Sequence, residues 1–315
     1  MAKIEQDRWS RPGIILVASD LSDLDGLMPH ALQQGAETGA RLILLHAVPT
    51  SEAVASDASG MPYYDPAGAL DTAARALESI CEAARKRHVV CEGLVREGNA
   101  AQQILAAARQ FHVDRIILGT RSRGKISKLL IGSVAEQVLR SVNIPVITVG
   151  PEAHLEVEST QSERTVLHAT TLRETSRPSA ALAGHVAATL NARLVLLHVL
   201  PPVAEMQRKG IPTGLESAAM HELSTLAAAT SRDCNVMIEP HVVHGNPSIE
   251  ILAEASGRKA SLIVLGATHR SAFDNLTRDR TVYKVLAHAR CPVMTLREPL
   301  AEEEEHATDR AAIHA

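Results

Sequence analysis

Short apolar runs alternate along the chain with longer Ala-rich segments of helical period, which is the pattern of a parallel sheet covered by helices. In the leading half the runs at 13–18, 42–48, 89–95, 115–118 and 145–149 predict strands. Their Ile, Val and Leu content suits strands buried on both faces. Between them, 23–38, 67–88, 100–111 and 133–141 predict helices. The trailing half follows the same alternation, with strands predicted at 165–169, 194–199, 236–243, 262–265 and 292–296. Each half therefore reads as a five-stranded α/β unit.

The two halves also repeat each other in sequence. Glu97-Gly98-Asn99 followed by Gln103-Ile104-Leu105-Ala106 recurs 147 residues later as His244-Gly245-Asn246 followed by Glu250-Ile251-Leu252-Ala253. Leu118-Gly119, Val138-Leu139 and Pro145-Val146 recur at the same offset. Upstream, Arg41-Leu42 and Leu44-Leu45-His46 match Arg193-Leu194 and Leu196-Leu197-His198 at an offset of 152, so a loop in the second copy is predicted to be five residues shorter. A period of this size is a duplicated domain and not a solenoid. The expected organisation is a domain over 1–150, a polar, acidic linker over 151–163, a second domain over 164–298 and an acidic polar tail over 299–315.

Composition narrows the function. With 315 residues, 45% apolar and 22% charged, the chain can bury a core in each half. A net charge of −4 gives no broadly basic surface for nucleic-acid phosphates, and 2% aromatic residues leave few rings for base stacking. No apolar run reaches the roughly 18 residues of a membrane span, and the polar start shows no secretion signal. Cys81, Cys91, Cys234 and Cys291 form no Cys-x-x-Cys pair, so reduced thiols in a cytoplasm are expected.

In an open parallel sheet the ligand crevice lies beyond the carboxyl ends of the strands, where strand order reverses. The first strand ends in Ala18-Ser19-Asp20, the second in His46-Ala47-Val48 and the fourth in Leu118-Gly119. After Gly119 the chain runs through Thr120-Arg121-Ser122-Arg123-Gly124 to Gly132-Ser133-Val134 at a predicted helix start. Small residues let backbone N–H groups approach a phosphate, and the helix start adds donors and a favourable dipole. Arg121, Arg123, Lys125 and Lys128 add positive charge, either for a polyphosphate or as a solvated loop face. Neither a P-loop nor a Gly-x-Gly-x-x-Gly turn after the first strand is present.

These segments, with Val134-Ala135-Glu136-Gln137-Val138-Leu139, resemble the universal stress protein family, and two copies make the chain similar to its tandem members. The resemblance implies two Rossmann-like, HUP-type five-stranded sandwiches forming an intramolecular pseudo-dimer. The family's ATP motif is Gly, two residues, Gly, nine residues, then Gly-Ser or Gly-Thr. Gly119, Ser122, Gly132 and Ser133 occupy those positions, with serine in place of the second glycine. Carried over residue by residue, the resemblance places Ser19 and Asp20 near adenine and ribose, with Ala47 in the adenine pocket. Gly119 and Ser122 would border the ribose and phosphates, and Gly132, Ser133 and Val134 would hold the phosphate chain. In the second copy Thr171 replaces Asp20, His269 replaces Ser122, and Asp279-Arg280 replaces Gly132-Ser133. A carboxylate at a phosphate position repels an anion, so one site is expected, in the first copy.

The expected function is a cytoplasmic ATP-binding signalling module, with ATP carried as its magnesium complex and at most slow hydrolysis. No catalytic residue is assigned. Two alternatives are a scaffold that binds no nucleotide and an adenylating enzyme of the wider nucleotide-binding α-hydrolase-like group. The latter would be expected to carry a Ser-Gly-Gly-x-Asp loop or a His-x-Gly-His signature, and neither occurs. No metal site is expected: His241 and His244 are three apart and point to opposite faces of a regular strand. His46 and His198 are expected to be hydrogen-bonded structural residues. The expected partner is an adenine nucleotide, without nucleic acid or membrane, and a homodimer is the expected further assembly.

Overall fold

A computed structural model describes residues 8–50, 65–120, 131–154, 164–209, 214–268 and 281–298. The chain divides into two compact units, one of Arg11–Pro151 and the other running from Glu152 and including the described residues 8–10.

The first unit contains β1 (Ile14–Ala18), α1 (Leu24–Thr38), β2 (Arg41–Val48), α2 (Pro66–Arg85), β3 (Cys91–Glu97), α3 (Ala100–Gln110), β4 (Arg115–Gly119), α4 (Ser133–Ser141) and β5 (Val146–Val149). Its strands are all parallel in the order β3-β2-β1-β4-β5. The order reverses at β1, which lies between β2 and β4. Ile15, Leu16 and Val17 of β1 and Ile116 and Ile117 of β4 are fully buried, as expected of central strands covered on both faces.

The second unit repeats the plan. It has β6 (Thr165–Ala169), α5 (Arg177–Thr189), β7 (Arg193–Leu200), the short α6 (Val203–Arg208), α7 (Leu215–Cys234), β8 (Ile238–His244), α8 (Pro247–Gly257), β9 (Leu262–Thr268), α9 (Thr281–His288) and β10 (Val293–Glu298). Within it the order is β8-β7-β6-β9-β10, again parallel.

The repeated Gly-Asn pair has a local structural cause. Gly98 and Gly245 take positive φ of 123° and 156°, conformations that favour glycine. Their N–H groups reach back to Val48 O and Leu200 O at 2.8 and 2.9 Å. The following Asn99 and Asn246 cap α3 and α8, accepting from Gln102 N and Ser248 N, each at 3.1 Å.

Two details depart from the sequence reading. The five-residue deletion is split between two connections: 201–214 is three residues shorter than 49–65, and 235–237 is two shorter than 86–90. The strand predicted at 89–95 runs instead over Cys91–Glu97, and its helix stops at Arg85. His88 turns the chain at φ 60°, and the Val89 N–H closes back on Ala84 O at 3.2 Å. Val89 therefore belongs to the helix exit and not to the ladder.

Arg115 opens β4 fully buried and donates to Gln34 Oε1 of α1. Burial pushes its pKa down to about 10, so it stays charged at neutral pH beside Asp114. Asp114 in turn accepts from the N–H groups of Gly13 and Ile14 at 2.8 and 3.0 Å, fixing the entry to β1.

Candidate functional site

The turn after β1 is held in a strained shape. Leu21 has φ 67°, a left-handed conformation uncommon for leucine. Three hydrogen bonds enforce it. Leu21 N donates to Ser19 Oγ at 2.9 Å, Ser19 Oγ donates to Asp23 Oδ1 at 2.5 Å, and His46 Nδ1 of β2 binds Ser19 O at 2.9 Å. Asp20 closes the next turn by accepting from Ser22 N at 2.9 Å and Ser22 Oγ at 2.6 Å. Both Ser19 and Asp20 are thereby brought to the carboxyl end of β1.

On the far side of the switch point, Thr120 follows β4 with its N–H on Val149 O at 3.1 Å. Its carbonyl accepts from Gly132 N at 2.7 Å, which pins the start of α4 against the end of β4. A Cβ on Gly132 would lie 3.3 Å from that carbonyl, closer than most side chains come. Gly132 is the N-cap of α4 and supplies no side-chain cap. The N–H groups at the start of α4 thus face outward from a helix dipole with no side chain of Gly132 between them and a ligand.

Between these two walls lies a cavity of about 260 Å³. Leu45 and Ala47 of β2, Leu118 of β4 and Ala100 and Ile104 of α3 make one part of its wall apolar. Ser19, Asp20 and Asp23 line it beyond β1, and Gly119, Thr120, Gly132, Ser133 and Val134 line it between β4 and α4. Seven of the eight residues singled out in the sequence therefore meet around one cavity. The eighth, Ser122, lies outside the described residues, as do Arg121, Arg123, Lys125 and Lys128.

Asp23 and Thr120 were not singled out in the sequence. Burial raises the Asp23 carboxyl above its ordinary value, the Ser19 hydrogen bond opposes that rise, and the Asp20 charge adds to it. Thr120 is 2% exposed and its Oγ1 has no hydrogen-bond partner among the described residues. A buried hydroxyl in that state costs free energy unless something accepts its proton or donates to it. The cavity can therefore take a flat apolar group against β2 and α3, together with an anion at the start of α4.

The second unit keeps the backbone devices of this site. Leu172 has φ 60°, Leu172 N donates to Thr170 Oγ1 at 3.2 Å, and His198 Nδ1 binds Thr170 O at 2.9 Å. The side chains differ. Thr171 stands in register with Asp20 and bonds Ser176 Oγ at 2.9 Å, and Val199 stands in register with Ala47. His269, Asp279 and Arg280 lie outside the described residues. His241 and His244 bind different helices, through Glu254 of α8 at 3.4 Å and Glu216 of α7 at 3.1 Å. Among the described residues no group of three or more His, Cys, Asp or Glu could hold a metal ion, and no helix is long and apolar enough to cross a membrane.

Comparison with known proteins identifies the family and the fold. The model of the universal stress protein family matches residues 13–150 and again 163–297. A universal stress protein of Mycolicibacterium smegmatis is 24% identical over 210 residues, covering 64% of this chain and 67% of that protein. The crystal structure of a universal stress protein from Archaeoglobus fulgidus shares the fold with a TM-score of 0.70 at 18% identity, covering 92% of this chain and 98% of that one. Another structure from that organism is a complex with dAMP and covers 43% of this chain, with a TM-score of 0.34 at 18% identity. Two consecutive matches that together take in most of the sequence mean that the chain belongs to the universal stress protein family, as a tandem member with two copies of its domain.

Proposed function

We propose that the first unit binds one adenine nucleotide, ATP with its magnesium ion, and that the protein works as a nucleotide-dependent binding module of the cytoplasm. The observation that carries this reading is the single cavity where Ser19, Asp20, Ala47, Gly119, Gly132, Ser133 and Val134 meet at the switch point of the sheet. In this reading the adenine ring lies against Ala47, Leu45 and Ile104. Asp20 accepts from the ribose hydroxyls, and the phosphates lie on the N–H groups at the start of α4 with Ser133 and Thr120. The magnesium ion would supply charge neutralisation on the phosphates.

Turnover is slow in this reading. Asp20 and Asp23 are the titratable groups among the described residues lining the cavity, and both are tied into turns by Ser22 and Ser19. Neither is arranged as a base beside an attacking water. Intramolecular pairing of the two units, and a homodimer built from such chains, belong to the same proposal.

Isothermal titration of the full chain with ATP and magnesium tests it. One equivalent bound, with a rise in the thermal midpoint at millimolar ATP, is the expected result. No heat and no stabilisation would overturn it in favour of a scaffold without nucleotide. Two equivalents would overturn the assignment to one unit.

A further inference from the structure

A second chemical site lies at the opposite end of the same sheet, between α2 and β3. Cys81, in the last turns of α2, and Cys91, the first residue of β3, are both buried free thiols with Sγ atoms 2.8 Å apart. The approach has a structural cause. Gly93 lies two residues after Cys91, and Leu77 lies one helical turn before Cys81, so the two pairs share one helix-to-strand contact. A Cβ on Gly93 would meet Leu77 Cβ at 2.9 Å, so the missing side chain lets α2 settle onto β3. Arg85, one turn after Cys81, ties the same corner by donating to Cys91 O at 3.0 Å and pairing with Glu78 at 2.7 Å.

We propose that Cys81 and Cys91 are a peroxide-responsive dithiol, which closes into an intramolecular disulfide that staples the end of α2 to the start of β3. The sulfurs need to move together by only roughly 0.8 Å to reach bonding distance. One thiolate of the pair attacks a peroxide oxygen and the O–O bond breaks. Its sulfur becomes a sulfenic acid, and the departing hydroxide takes up a proton as water. The other sulfur then attacks the sulfenic sulfur, the S–O bond breaks, and a second water leaves with the attacking thiol's proton. Two thiols are oxidised and one hydrogen peroxide is reduced to two waters.

The two thiols share one hydrogen bond in which either sulfur can donate. The Arg85 charge favours a thiolate at both, so the corner can hold one thiolate against one thiol. Hydrogen peroxide is comparable to water in size, and it reaches the buried sulfurs through local opening where α2 ends. The trailing unit lacks the pair: Ile238 stands in register with Cys91.

The test uses the full chain treated with hydrogen peroxide. Remaining thiols are then blocked with iodoacetamide, and the protein is digested with trypsin without reduction and analysed by mass spectrometry. Cys81 and Cys91 fall on separate tryptic peptides, 76–85 and 88–96. The expected result is that these two peptides are joined in most molecules and released by dithiothreitol, while Cys234 and Cys291 carry the alkyl label. In the C91S variant the link is lost, and Cys81 is trapped by a sulfenic-acid reagent. Both cysteines alkylated after peroxide, or Cys81 ending as an unlinked sulfinic acid in the unaltered protein, would overturn the proposal. The peptide readout needs neither a folded variant nor a bound nucleotide, so its failure is separate from failure of the proposed ATP site.

Discussion

The two copies of the domain differ where a ligand would touch them and agree where the backbone must be held. At the end of the first strand both copies keep a leucine at positive φ, a hydroxyl cap on its N–H and a histidine from the second strand on the preceding carbonyl. The side chains around that shared turn have diverged: Asp20 against Thr171 and Ala47 against Val199; within the strands, Val17 stands against His168 and Arg115 against Leu262. The strained turn is thus part of how the fold is built, and by itself does not mark a binding site. What separates the copies is the chemistry placed upon it.

The largest expected effect comes from filling the first cradle. Gly132→Trp keeps an ordinary backbone, since φ at Gly132 is −60°, yet sets a large ring against Thr120 O and the start of α4. Titration should then show ATP binding lost, with little change in the thermal midpoint of the free protein. Residual stoichiometric binding would mean that the trailing copy holds nucleotide.

Next is the histidine that only the trailing copy carries. His168 is fully buried in β6, Nδ1 binds Val264 O at 3.0 Å, and Nε2 has no hydrogen-bond partner among the described residues. Burial pushes its pKa from 6.5 down to about 4. Between those values the unfolded chain takes up a proton that the folded chain refuses. Stability from this residue is therefore full above pH 6.5 and falls as the pH drops toward 4, by about 3 kcal/mol. His168→Val, which copies Val17, should flatten that part of the denaturation profile. An unchanged slope from pH 6.5 to 4 would show that another group carries it.

Removing the acceptor at the end of β1 should cost less. Asp20→Ala is expected to weaken ATP about tenfold, the scale of one hydrogen bond to a charged group, and Thr171→Ala to leave it unchanged. The smallest effect is expected from Thr120→Val, which replaces a buried hydroxyl without a partner among the described residues by a methyl of similar shape. Affinity should fall about threefold, while the free protein becomes slightly more stable, because an uncompensated polar atom has been removed. A free protein destabilised by this change would mean that the hydroxyl is satisfied without nucleotide.

Much of this was legible in the sequence because the relevant signals are periodic or repeated. Alternating Ile, Val and Leu runs located the strands, and the Gly98-Asn99 and Gly245-Asn246 repeat revealed the duplication. That the pair forms a βα corner, with glycine at positive φ and asparagine capping the next helix, came from the structure. Seven cavity residues followed from the resemblance to the universal stress protein family and its Gly119-to-Gly132 motif, at positions that strand ends had already pointed to. Strand order was not legible, because apolar runs carry no record of their neighbours. Asp23 and Thr120 were missed for a related reason: their roles depend on what approaches them through space, Ser19 in one case and an apolar enclosure in the other. Ala100 and Ile104 could have been found, since α3 begins where β3 exits at the same edge of the sheet. The Cys81 and Cys91 contact left no signal in their spacing. It depends on where α2 stops and on the missing side chain at Gly93.

The short bond from Gly132 N to Thr120 O acts like the drawstring of a purse. Because the neck is tied by main-chain atoms, the end of β4 and the start of α4 stay together whatever side chain Thr120 is replaced by. Closing the chain at its neck also means that a longer connection would cost little, since doubling a loop costs only about 0.6 kcal/mol.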